Sequence, residues 1–576
     1  MKDALEEGNT KPFWKYIKSK RQDSSGISPL LGDGKLHSDS QDQANILNQQ
    51  FCSVFTKDKG DPTPTINSEP TPTIQDLTSI SARGVEKLLS TIKDNKASGP
   101  DNIPNRLLRE LAPQLSHVLA VIFTQSLTSG HLPKDWKEAN IAPIFKKDNK
   151  NNPANYRPVS LTCVCAKLME HIVVHHLMAH LESHQVLTPL QHGFRARHSC
   201  VTQLISTVTH LLGYQDNNTQ VDVIILDFSK AFDVVSHRKL LAKLDHYGVR
   251  GNIHKWIASF LTNRSQRVLV KGTMSESAPV ESGVPQGTCL GPILFLCFIN
   301  DIADGISSFI RLFADDALLY RPIRTPEDHT VLQEDLAELE EWAAKWGMKF
   351  NPKKCYAMST TKKKSIPSIH FYTLCNVVLS SVANNPYLGI NISEDLTFAA
   401  HINKTVAKSS RTLGFLNRTM RSCPRRLREL AYFTMCRTTL EYASQVWDPP
   451  DNSREASNLE KVQRRAARFV VKDYRRRASV TAILQDLGWE PLSSRRQNSR
   501  LTLFHQIVNN KLDVQLEEGM LVQGLRGRYR LGRSKTSQHK NSFFPRTITA
   551  WNNLKPGIRE SLTTDSLKAA LPKAAY

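Results

Sequence analysis

Two aspartates stand side by side in the run Arg311-Leu312-Phe313-Ala314-Asp315-Asp316-Ala317-Leu318-Leu319-Tyr320, a stretch otherwise composed for burial. Charged side chains stay out of cores unless something compensates them. Two like charges about 4 Å apart repel by on the order of 4 kcal/mol at an effective dielectric near 20, and the pair resists full ionisation accordingly. A hard divalent cation such as magnesium removes that cost by taking carboxylate oxygens while keeping coordination sites open for phosphate. Aspartate also tolerates turn geometry, so a turn between two strands is the competing reading, and this segment alone leaves both open.

The rest of the chain narrows the choice. Its 576 residues allow three or four domain-sized units, and 76 Lys and Arg against 54 Asp and Glu give a formal net charge of +22 and a pI near 9.5. Such an excess favours a polyanionic partner, nucleic acid first and an anionic membrane surface second. No apolar run approaches the roughly 18 residues that span a bilayer; Pro292 to Ile299 is among the longest. The opening Met1-Lys2-Asp3-Ala4-Leu5-Glu6-Glu7 carries no signal-peptide stretch. Ten cysteines without Cys-x-x-Cys spacing argue against a zinc ribbon and for reduced thiols, with Cys163 and Cys165 as packing groups.

Composition and periodicity predict residues 1–55 as a mostly helical, linker-like segment, 56–75 as a Pro/Thr-rich linker, and a main domain from 76 to 395. Helical stretches over Val85–Lys93 and Asn105–Ser129 alternate with apolar strands such as Val221–Leu226, a mixed α/β reading. Residues 328–346 read as an amphipathic helix stopped by Gly347. From 396 to 576 the pattern is mainly helical and increasingly basic. Arg464, Arg465 and Arg475 to Arg477, with Phe469 and Tyr474 interleaved, suggest phosphate-backbone contact by that region, a solvated helix face being the alternative.

A second carboxylate lies upstream, where Ile224-Ile225-Leu226 runs into Asp227. An aspartate ending an apolar strand is delivered to the edge of a sheet, so Asp227 is expected to join Asp315 and Asp316 as a third ligand; the alternative is a helix N-cap for a segment beginning at Ser229. Between them, Ser282-Gly283-Val284-Pro285-Gln286-Gly287 precedes an apolar helix, a loop whose backbone and helix N-terminus suit a phosphate, or else an ordinary turn. Three carboxylates, such a loop and strong basicity suggest two-metal phosphoryl transfer, which both a polymerase and a nuclease would use.

In order along the chain, Asp227 with Ala231-Phe232, Gly283 to Gly287, Phe313 to Asp316, Asn351-Pro352-Lys353-Lys354 and Tyr387-Leu388-Gly389-Ile390 closely resemble the reverse transcriptases of non-LTR (LINE-type, jockey-like) retrotransposons. Lys96 to Asp101, Ile144 to Lys147, Asn155 to Leu161 and Gln191 to Arg195 resemble that family's fingers, and Leu459 to Arg468 and Ser542 to Phe544 with Trp551-Asn552 its C-terminal region.

The resemblance implies an α/β (α+β) right-hand polymerase, with fingers and an antiparallel palm sheet followed by a helical thumb and a basic C-terminal region. It implies Asp227, Asp315 and Asp316 as ligands of two Mg2+ ions, with Mn2+ as a substitute, and Lys354 as an aid to pyrophosphate departure. Phe228, Phe232, Gln286, Gly287, Arg157 and Lys146 then handle the nucleotide, with Phe232 excluding a 2′-hydroxyl by bulk, and Tyr387-Leu388-Gly389 grips the primer. RNA template, DNA primer and dNTPs are the implied partners, in a ribonucleoprotein of nucleus and cytoplasm, without a membrane. The family's N-terminal endonuclease is not expected in this chain, so a nick would be supplied elsewhere. A catalytically idle RNA-binding remnant is the alternative from another class.

Overall fold

The computed structural model describes residues 13–14, 16–17, 27–57, 60–66, 68–94, 96–362, 370–516 and 519–571, so the opening Met1 to Glu7 lies outside them. The chain forms two compact units, each assembled from separated segments. The first comprises Met1–Gln191, Phe228–Asp304 and Leu339–Phe350, and the second His192–Asp227, Gly305–Glu338 and Asn351–Tyr576. In chain order the strands are β1 (Leu30–Gly32), β2 (Lys35–His37), β3 (Glu138–Phe145), β4 (Tyr156–Leu161), β5 (Gln220–Leu226), β6 (Arg264–Val270), β7 (Thr273–Met274) and β8 (Ala278–Val280). They continue as β9 (Phe309–Phe313), β10 (Asp316–Ile323), β11 (Tyr356–Thr360), β12 (Thr373–Leu374), β13 (Val377–Val378), β14 (Ser380–Ser381), β15 (Asn384–Tyr387) and β16 (Ile390–Ser393).

In the first unit, β4-β3-β6-β7 form one sheet with β8 also on β6, and the β3–β6 pairing is parallel. The helix Ser40–Cys52, capped by Asp39, lays Leu47 and Phe51 against Ile141, Val268 and Val270 of this sheet. Residues 27–55 therefore depart from the expected linker-like segment: β1 and β2 make a hairpin, and the helix closes a core. Burial of such apolar side chains, at about 1.5–3 kcal/mol each, fastens the expected helix to the sheet despite its Gln- and Asn-rich composition. Among its described residues the Pro/Thr-rich stretch has no helix or strand but is docked, with Thr71 and Ile74 N–H donating to the carbonyls of His246 and Gly248 at 3.0 and 2.8 Å. The helix expected over Asn105–Ser129 is broken at Leu111 into Asn105–Glu110 and Ala112–Ser129, Pro113 standing just inside the second.

In the second unit, β14-β11-β5-β10-β9 form a sheet that is antiparallel except for the β11–β14 pair. Its central strand is β5, where Val221, Val223, Ile224 and Leu226 are at most 2% exposed. Asp222 is buried in the same strand at 2%, and its charge is satisfied by the Tyr372 hydroxyl at 2.7 Å, the Gln220 amide at 2.9 Å and His329 at 3.2 Å. The helix Glu327–Trp346 ends at Gly347, whose φ of 78° takes the left-handed conformation that stops it.

Beyond β16 the second unit is helical, with Ala399–Thr419 packed along Arg454–Val471. Leu492–Val508 and Phe543–Asn552 meet around Asp448, a 3% exposed carboxylate held by Arg496 and Arg500 at 2.6 and 2.9 Å and approached by Arg546 at 3.4 Å. No described helix is long and apolar enough to cross a membrane.

Candidate active site

The β9–β10 hairpin settles how the paired aspartates are held. Phe313 and Asp316 are paired across it, so Ala314 and Asp315 form its two-residue turn, with Ala314 at a φ of 53°. The turn reading of Asp315-Asp316 holds, and that turn carries both carboxylates to the end of the sheet. Asp315 is half-buried and Asp316 exposed.

Strand register brings the other groups in. Ala317 of β10 pairs with Leu226 of β5, so Asp316 and Asp227 are the next residues outward on neighbouring strands, about 5 Å apart by backbone geometry. On the other side of β5, Tyr356 of β11 pairs with Ile225, which leads the preceding turn Pro352–Lys354 to Asp227. The Asn351 N–H donates to the Asp227 carbonyl at 2.8 Å, and Lys354 Nζ lies 3.7 Å from Asp227 Oδ2. That oxygen is shielded from solvent and accepts no hydrogen bond. As the side chains stand, no three His, Cys, Asp or Glu among the described residues converge as a ready ligand set. The donors nevertheless suit a hard divalent cation: carboxylate oxygens on abutting strands, one of them shielded and unbonded.

The Tyr387-Leu388-Gly389 hairpin belongs to the same unit. β15 and β16 are closed by Leu388 and Gly389, both at positive φ (46° and 83°). Tyr387 is buried, and its hydroxyl accepts from the Gln203 amide at 3.2 Å. Burial, with the Asp316 carboxylate adding to it, raises the Tyr387 phenol well above its ordinary range. The Leu388 carbonyl accepts from the Tyr442 hydroxyl at 2.9 Å, pinning the tip to the helical region.

The first unit gathers a second constellation. Phe232 is half-buried and stacked on Phe295 at 4.2 Å and 17°, a rigid plate. Its carbonyl accepts the Val284 N–H at 2.8 Å, while the Gln286 side-chain amide donates to Asp233 Oδ1 at 2.8 Å and the Gln286 carbonyl accepts the Ser160 N–H at 2.7 Å. Gly287, at a φ of 104°, lies so close to β4 that a Cβ there would meet the Ser160 carbonyl at 2.8 Å. Gly287→Ala is therefore expected to destabilise the loop by about 1–3 kcal/mol, read as a lowered thermal midpoint. An unchanged midpoint would show that the loop is free to move off β4. Arg157 and Lys146 are exposed on the hairpin of β3 and β4, where Lys146 N–H donates to the Asn155 carbonyl at 2.9 Å.

Three expectations change. The helix Gly291–Ile299 does not offer its N-terminus to phosphate, because Glu170 Oε2 already accepts the Cys289 and Leu290 N–H groups at 2.6 and 3.1 Å. Burial holds the Glu170 carboxyl above its usual range, those two amides opposing the shift. Phe228 is 6% exposed and stacked on Phe350 at 4.4 Å, so its ring is committed to the core and unavailable to a nucleotide. Phe469, expected to be interleaved with phosphate-binding arginines, is likewise buried at 3%, and the neighbouring Arg468 donates to the carbonyls of Asp473, Arg475 and Ala478, closing a loop. The capping alternative for Asp227 also fails, since no helix begins at Ser229 and the next, His237–His246, is capped by Ser236. Cys163 and Cys165 are buried packing groups, their thiols pushed up to about 12 and about 11 by desolvation.

Sequence reasoning missed Asp233, Glu170, Gln203 and Tyr442. Asp233 adjoins Phe232 and could have been suspected from its place in the motif, whereas the other three are distant in sequence from the groups they hold.

The second unit carries a carboxylate-edged sheet and the first unit a second sheet, and residues 144–392 match the family model described as reverse transcriptase (RNA-dependent DNA polymerase). More particularly, the chain is similar to the RNA-directed DNA polymerases of non-LTR retrotransposons. It is 28% identical over 537 residues to the probable RNA-directed DNA polymerase from transposon BS of Drosophila melanogaster, covering 87% of this chain and 58% of that protein. It is 31% identical over 337 residues to the RNA-directed DNA polymerase from mobile element jockey of the same species, covering 57% of this chain and 36% of that protein. The chain thus spans less than two thirds of the length of these relatives.

Proposed function

We propose that this chain is an RNA-directed DNA polymerase that extends a primer 3′-hydroxyl with deoxynucleotides on an RNA template, with residues 76–395 as fingers and palm and 396–576 as thumb and basic C-terminal region. The observation that carries the reading is the placement of Asp227, Asp316 and the Asp315 turn at one end of the second unit's sheet, within a chain region similar to reverse transcriptases. Asp227, Asp315 and Asp316 would hold two divalent cations, Mg2+ or Mn2+, which when bound lower the pKa of the attacking hydroxyl and neutralise charge on the leaving pyrophosphate.

The chain's own groups do the rest. Lys354, beside Asp227, is placed to neutralise charge on the departing pyrophosphate, and Arg157 and Lys146 add positive charge toward the triphosphate. The Phe232 ring, fixed by Phe295, blocks a 2′-hydroxyl by volume. Gln286, tied to Asp233 and β4, keeps its loop in one conformation beside the nascent base pair. The hairpin at Tyr387 to Gly389 holds the primer end.

The test is incorporation of labelled deoxynucleotides on a primed RNA template with magnesium. Incorporation that requires the RNA strand supports the reading. A folded, RNA-binding chain that incorporates nothing would establish the idle RNA-binding alternative. In an active enzyme, Phe232→Val is expected to relax discrimination against ribonucleotides by about 10- to 100-fold, since a pocket that rejects by volume alone supplies roughly 1–3 kcal/mol. Unchanged sugar selectivity would remove Phe232 from that role.

A further inference from the structure

From residue 519 to 559 the chain contains no Asp or Glu, yet it carries nine Lys and Arg. Several arginines elsewhere in the helical region are neutralised: Arg496, Arg500 and Arg546 surround Asp448, Arg495 pairs with Glu441, Arg425 with Asp486 and Arg475 with Asp473. By contrast Arg526, Arg528, Arg530 and Arg533 are exposed, and among the described residues none of them pairs with a carboxylate.

These four are not on a loose tail. Gln523 and Tyr529 bridge, Gly524 N–H donates to the Arg528 carbonyl at 2.8 Å, and Arg530 N–H donates to the Val522 carbonyl at 2.9 Å. Asn552 clamps the backbone of Tyr529 on both sides, at 3.0 and 2.8 Å, and the Trp551 indole donates to the Gly527 carbonyl at 2.9 Å. Tyr529 turns edge-on to Phe504, leaving its neighbours Arg528 and Arg530 outward. Such pre-organisation lowers the entropy lost on binding, and like charges close in sequence, with no counter-charge among the described residues, suit an anion of high charge density.

The strap also has a fixed address. Lys535 N–H donates to both Asp216 carboxylate oxygens at 3.1 and 3.0 Å, and Lys535 Nζ to Asn217 Oδ1 at 2.7 Å. Asp216 and Asn217 precede β5, while Asp227 follows it. Seven residues of strand at ~3.3 Å each thus set the anchored end of the strap about 20 Å from the carboxylates.

We infer that the strap Gln523–Arg533 is a second nucleic-acid contact, which grips the sugar-phosphate backbone of a strand segment remote from the primer end. The inference rests on the proposed polymerase reading only in choosing nucleic acid among polyanions.

The test compares the full chain with Arg526→Ala/Arg528→Ala/Arg530→Ala/Arg533→Ala. Binding is measured to an RNA–DNA hybrid of about ten base pairs, bare or extended by about thirty nucleotides of single-stranded RNA, single-stranded DNA or duplex DNA. The variant is expected to bind at least one extended form about 10- to 100-fold more weakly at low salt, to lose about three units from the salt-dependence slope, and to bind the bare hybrid within twofold. The extension that shows the loss identifies the strand held. Arg→Lys at the same four positions should retain binding, and matching thermal midpoints exclude misfolding. Unchanged slopes on every extension, or equal loss on the bare hybrid, would overturn the inference. So would loss confined to vesicles containing phosphatidylserine. Binding is read without incorporation, so an inactive polymerase and an idle strap give different results.

Discussion

Asp315→Asn/Asp316→Asn is expected to lose deoxynucleotide incorporation by at least about a thousandfold, a barrier increase of roughly 4 kcal/mol, while RNA binding changes little. Two negative charges leave the end of the sheet, and with them most of its attraction for divalent cations. Asparagine keeps the size and turn tolerance of aspartate. Asp316 is exposed and Asp315 half-buried, so the hairpin should keep its stability within about 1 kcal/mol. The measurement pairs incorporation on a primed RNA template with RNA affinity and a thermal melt. Parallel loss of affinity and incorporation would show that these aspartates serve the fold or the nucleic-acid surface, and the assigned chemistry would fall.

The largest effect on stability is expected at Asp448. This carboxylate is the counter-charge for Arg496 and Arg500, themselves 1% and 3% exposed, and it also faces Arg546. Asp448→Ala leaves the guanidinium groups buried without it, and breaking a buried pair from one side typically costs about 3–5 kcal/mol. Arg496 has no spare partner to fall back on, because its two terminal nitrogens already lack hydrogen bonds. Asp451→Ala removes a far more exposed partner of Arg546 and is expected to cost at most about 1 kcal/mol. Chemical denaturation of the two variants gives the comparison, and similar midpoints would mean that water reaches the Asp448 cluster.

Much of the candidate site was legible because its signals are local. An apolar strand running into Asp227, two aspartates inside another apolar run, and a Gly/Pro loop before an apolar helix each occupy fewer than a dozen residues, and each stands where strand and turn chemistry puts it. The parts that eluded the sequence depend on partners far away in it. Nothing near Gly291 announces that the helix beginning there is already capped by Glu170, and nothing near Phe228 reveals the Phe350 ring stacked upon it. The N-terminal helix was legible but its docking was not, for a similar reason: its Gln and Asn residues hide the Leu47 contacts, and those of Leu47 and Phe51 matter only once the sheet exists. Basic helices misled in the opposite direction, since an arginine that fastens a loop, such as Arg468, is indistinguishable in sequence from one that waits for a phosphate.

The position of β5 at the centre of its sheet has a consequence for how the protein is made. Its two neighbours, β10 and β11, emerge from the ribosome long after it, β11 only at residues 356–360. At about 5–20 residues per second, the nascent chain carries a Val- and Ile-rich strand with an unpaired edge for on the order of ten seconds. Such an edge is a template for pairing with another chain. A translation stop before residue 356 would make that exposure permanent, so shortened products of this message should be a greater aggregation hazard than their length suggests.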